Sequence, residues 1–123
     1  MKKYSLLIVT ALFLVGCGSS WNDGPYEVYY DAMNDRVLGR NMGEGMFIGR
    51  VEGDVIAIGN NAKYISVKQR DKGYETESYF FINKDKDGMY LNMDEITQGP
   101  FNKKHYAKLV TELGLPKFSK EFE

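Results

Sequence analysis

The chain has 123 residues, with 16 basic and 17 acidic side chains, one histidine and one cysteine. That length fits a single domain, and the near balance of charge leaves no basic footprint for nucleic acid. A lone cysteine excludes any disulfide within the chain, so packing alone must hold the fold.

Residues 1–16 read as a secretory signal. Lys2 and Lys3 form a positive start, Leu6 to Val15 an apolar run, and Gly16 a small residue before Cys17. The run is about ten residues, and a spanning helix needs roughly 20. Its removal leaves 14 basic against 17 acidic residues, a charge near −3. Such a domain is not drawn electrostatically to anionic lipid.

"LVGC", Leu14 to Cys17, resembles the bacterial lipobox. The resemblance implies a diacylglycerol thioether on Cys17, with further acylation of the new amino terminus, of the kind a palmitate chain supplies. Two or three chains anchor stably where one binds only marginally. No other cofactor is expected. The location implied is the bacterial cell envelope. Gly18 stands where an aspartate would resemble an inner-membrane retention signal. In a Gram-negative source this favours the outer membrane, facing the periplasm.

Residues 17–25 then read as lipidated cysteine and short tether, "CGSSWNDGP", with the single Trp21 placed either at the headgroups or over a core edge. Eight extended residues, 18–25, reach about 26–29 Å.

From residue 26 to the end the sequence predicts one β-rich domain. Short β-prone runs recur every eight to twelve positions: "YEVYY" (26–30), "VLGR" (37–40), "MFIGRV" (46–51), "VIAIG" (55–59), "YISVKQR" (64–70), "YETESYFFIN" (74–83) and "MYLNM" (89–93). In 64–70 polar and apolar residues alternate, the period of a half-buried strand. The expected fold is mostly β (α+β), an antiparallel six- to seven-stranded meander, small barrel or sandwich. One C-terminal helix, about 102–113, packs on it. Asn102 is its N-cap, Phe101 and Tyr106 its staple, Gly114 its stop and Pro116 the block beyond. Tyr106, Leu109, Val110 and Leu113 form its apolar stripe.

Catalytic chemistry finds few candidates. His105 is the sole histidine and lies beside the helix cap. The serines occupy no Gly-x-Ser-x-Gly frame, and "GRNMGEG" lacks the lysine of a phosphate loop. The domain therefore reads as non-catalytic. "NKDKDGMYLNMD" (83–94) offers Asn83, Asp85, Asp87 and Asp94 at calcium-loop spacing, but Leu91 and Asp94 are poor ninth and twelfth residues. A hairpin bend at Asp87-Gly88 explains the same letters, so no metal is expected.

Eight of the nine tyrosines follow the signal, more than a small core easily hides. Tyrosine suits interfaces, where it offers broad area and a polar tip. Trp21, Tyr29, Tyr30, Tyr74 and Tyr79 are the candidate partner-binding residues.

"VIAIGNNAKYISVKQ" (55–69) and "YFFINKDKDGMYLNMDEITQGPFNKKHYAKLVTELGLP" (79–116) are similar to small bacterial lipoproteins of unknown function. Those share a V-x-x-[IV]-G-x-[ND]-x-x-[YF]-I strand pair and a Gly-Pro step into a helix ending ELG[ILV]P. Ala62 departs from their usual polar turn residue. The resemblance covers about half the chain after Cys17 and implies a β-meander with one helix, but no catalytic residue. The expected function is a membrane-anchored, non-catalytic lipoprotein that binds an envelope or secreted protein, in an inhibitor- or immunity-like manner. The alternative is a structural or accessory component of an envelope assembly, and a small-ligand binder or enzyme ranks behind both.

Overall fold

The computed structural model describes residues 20–122, apart from 72 and 74. The expected signal (1–16), Cys17 and Tyr74 lie outside the described residues. Within them, two antiparallel sheets and a C-terminal helix form three layers.

The first sheet contains β1 (Trp21–Asp23), β2 (Tyr26–Tyr30), β3 (Arg36–Gly43) and β4 (Met46–Val51), ordered as in the chain. The second contains β5 (Val55–Asn60), β6 (Tyr64–Arg70), β7 (Glu77–Asn83), β8 (Gln98–Phe101) and β9 (Lys120–Glu121), in the order β8-β7-β6-β5-β9. The sheets do not close into a barrel.

Alternation along the strands builds the core. Tyr26 and Val28 of β2, Leu38 of β3 and Val51 of β4 face Val55, Ile58, Ile65, Val67 and Ile82 of the second sheet. Eight of these nine side chains are at most 1% exposed, and Tyr26 is 3% exposed. The other face of the second sheet carries Tyr64, Tyr79 and Phe81, which pack with Tyr106 and Leu115 from the helical layer. The second sheet is thus covered on both faces, which accounts for its nearly continuous apolar runs.

Short helix α1 (Met93–Ile96) precedes β8, and α2 (Lys103–Leu113) follows it. Asn102 caps α2 as its sequence predicts, its Oδ1 accepting from the His105 N–H at 2.8 Å. Gly114, at φ 71°, ends the helix with N–H groups of Gly114 and Leu115 both donating to the Val110 carbonyl. Only Tyr106 of the apolar stripe is fully buried, while Leu113 is 38% exposed.

Three expectations need correction. Residues 21–23, read as tether, form β1: Trp21 pairs with Val28 and Asp23 with Tyr26. "MYLNM" is not a strand. The Asn92 N–H donates to the Glu95 carboxylate at 3.0 Å, starting α1 instead. Nor do residues 84–88 make a two-residue hairpin. Lys84–Lys86 form a 3-10 turn capped by Asn83, and Gly88 does not take the positive φ such a bend requires. With β8 and β9 added, the described residues hold nine strands, above the six or seven expected.

Candidate interaction surface

The 84–97 segment covers the outer edge of β4, and a buried ion pair fastens it. Arg50 sits at a bulge in β4, where Leu38 opposes Val51 and Gly39 opposes Gly49. Its side chain is fully buried. Nε donates to Asp87 Oδ2 at 2.9 Å and Nη2 to Oδ1 at 2.8 Å, a bidentate pair. Nη2 also donates to the Gly88 carbonyl and Nη1 to that of Gly49. Tyr26 donates its hydroxyl to Asp87 Oδ2 at 2.7 Å, the Gly88 N–H donates to Oδ1, and Arg40 stands 3.7 Å away.

Burial opposes ionisation of Asp87, but Arg50, Tyr26 and the Gly88 N–H outweigh it and hold the carboxyl below its ordinary range. Burial, together with the Asp87 charge, pushes the Tyr26 phenol up to about 12. Beyond the pair, Thr97 donates to the Arg50 carbonyl at 2.6 Å, and Ile96, 5% exposed, plugs the inter-sheet core.

Two residues of the calcium-loop alternative are engaged elsewhere. The Asp87 carboxylate turns inward to a guanidinium, and Asn83 accepts from the Asp85 N–H. Among the described residues no group of three acidic, histidine or cysteine side chains could hold a metal ion. His105 is exposed, with its ring edge-on to Phe101 at 4.9 Å.

The proposed aromatic surface divides when placed in the fold. Tyr29 lies on the face of the first sheet turned away from the core, since Tyr26 and Val28 point inward. Its ring crosses Gly39, where a Cβ would come within 2.7 Å of it, and meets Phe47 of β4 at 4.6 Å between centroids. Beside them Asn41 donates to Glu27 at 3.3 Å. The result is a half-buried aromatic pair on the sheet face turned away from the core, flanked by one polar pair. Burial, and secondarily the charge of Asp31, raises the Tyr29 phenol above its ordinary value.

Tyr30 follows Tyr29 in sequence but projects to the opposite side, as a strand requires. Its hydroxyl accepts from Arg36 at 3.1 Å, and 54% of the residue remains exposed. Trp21 is half-buried against the inter-sheet core. Tyr79 is not a surface residue: it is 5% exposed, with its ring stacked on Tyr106 at 4.8 Å.

Phe47 was not singled out by sequence. The signal was available in Gly39, over which the Tyr29 ring lies; Gly49, paired with it on β4, receives the end of Met93 instead. Met33, Met46 and Tyr90, at 78%, 62% and 87% exposure, are further large apolar side chains on the surface.

Among the described residues no helix is long and apolar enough to cross a membrane. No family profile, curated protein or solved structure matches the chain. The class that the fold defines is a disulfide-free β sandwich with a helical third layer.

Proposed function

We propose that this chain is a bacterial lipoprotein of the small, anchored kind its sequence resembles, and that its domain binds a protein at the envelope. Cys17 carries the acyl chains, and the outer face of the first sheet is the docking surface. The Tyr29–Phe47 pair is the observation that supports it: two half-buried rings in contact across a glycine, on the sheet face turned away from the other sheet. Aromatic anchors bordered by polar groups are what protein interfaces concentrate. The buried charges, by contrast, are occupied with one another and serve to fix the 84–97 segment.

Two experiments test this reading. Labelled fatty acid enters the wild-type chain and not Cys17→Ala, and the variant leaves the membrane fraction; equal labelling contradicts the anchor. Crosslinking in intact envelopes followed by purification recovers a protein with the wild-type chain, and Phe47→Ser reduces the yield at least tenfold, the effect of losing about 1.4 kcal/mol or more. Undiminished recovery with Phe47→Ser contradicts the docking face.

A further inference from the structure

We infer that the end of the sandwich bearing Tyr30 and Met33 rests on the lipid surface, with these side chains in the headgroup layer. The inference rests on the anchored reading of Cys17 and adds an orientation to it.

The chain enters the first sheet at Ser20, whose N–H donates to the Val28 carbonyl, and Trp21 pairs with the same residue. Because β1 runs antiparallel to β2, this entry lies at the end of β2 that leads into the 31–35 loop. Cys17 is three residues before Ser20, a reach of at most about 11 Å. The acyl chains therefore tie this end of the sandwich to the bilayer, not the end at Met46. The two ends are separated by the length of β3, roughly 23 Å at 3.3 Å per residue.

The tethered end is where Tyr30 and Met33 stand exposed. Met33, at the tip of the loop, is 78% exposed, and the loop is held by Asp31, whose Oδ1 accepts from the N–H groups of Met33 and Asp35 at 2.9 Å. Arg36 lies over both the Tyr30 ring, at 5.5 Å, and the Phe122 ring, at 4.8 Å, bringing the end of the second sheet alongside. A half-exposed Tyr with an arginine against its ring and hydroxyl, next to an unbranched apolar tip, suits the interfacial layer. The surrounding charge is acidic: Glu52, Asp71 and Glu75 are exposed at the adjoining turns. Contact is therefore apolar and not electrostatic, and anionic lipid weakens it.

The test uses the lipidated full chain with a nitroxide on Met33→Cys, the only free thiol once Cys17 is acylated. Met46→Cys, at the far end, is the control. In phosphatidylcholine vesicles, the ratio of oxygen to nickel-chelate collisions at position 33 rises several-fold over that of the detergent-free Cys17→Ala background. Position 46 stays at its aqueous value. Adding phosphatidylglycerol lowers the ratio at 33. Anchored protein with the same aqueous ratio at both positions overturns the orientation and leaves the anchor standing. Protein that fails to sediment with vesicles overturns the anchor, and the orientation with it.

Discussion

Asp87 shows how a residue's surroundings reverse its apparent role. In the sequence it sits among alternating acids and lysines, suggesting a turn or a calcium loop. In the fold it is the acceptor for Arg50, Tyr26 and Gly88. Nothing local to 83–94 reveals this, because Arg50 lies 37 residues away and reads as an ordinary strand cation. Removing one partner leaves a buried charge alone, so Asp87→Ala costs about 3–5 kcal/mol in urea unfolding at neutral pH. A cost under about 1 kcal/mol would mean that water reaches Arg50. The Asp87 pKa is lowered on folding, so its stabilisation is present above its unfolded value, near 3.8, and is lost as pH falls through the folded value. Tyr26 runs the other way. Its pKa rises from 10.0 to about 12, so its contribution is complete below pH 10 and disappears as pH climbs toward 12. Thermal melts across that alkaline range should fall less steeply for Tyr26→Phe than for wild type; parallel curves would contradict the assignment.

The elements that were legible are those whose information is local. β2, β4 and β6 match their expected boundaries, because alternation and flanking turn residues are written within each segment. The α2 caps are equally local, and Asn102→Ala should lower stability by about 1 kcal/mol without altering the sheets, as followed by circular dichroism and chemical denaturation. What was not legible depends on distant partners. β1 has three residues and β9 two, and each is a strand only because β2 or β5 offers an edge. β8 contains Pro100, which is tolerated on an edge strand. "MYLNM" is apolar enough to read as a strand, yet Asn92 and Glu95 are spaced to start a helix, and Ile96 is then buried in the core. The C-terminal segment gives its own test at Gly59, where a side chain would strike the backbone of Lys117. Gly59→Val should expose amides of residues 119–122 to fast hydrogen exchange while β6 and β7 stay protected; unchanged protection at Ser119 and Phe122 would contradict the close approach.

On the scale of the molecule, the sandwich assigns different tasks to its surfaces. The second sheet is enclosed between the first sheet and α2, and the β4 edge is covered by the 84–97 segment. The outer face of the first sheet carries the half-buried aromatic pair, with Met93 of α1 against Gly49 at its β4 side. The candidate site was only half legible in sequence: tyrosine abundance pointed to a surface, but the division of Tyr29 from Tyr30 and the loss of Tyr79 to the core required the register and layers. If that outer face docks a protein at the envelope, a photoreactive residue at position 47 will report it most directly. In intact cells, position 47 should yield one discrete adduct, with position 104 on the exposed side of α2 yielding none. No adduct from 47, or the same adducts from both positions, would contradict the docking face.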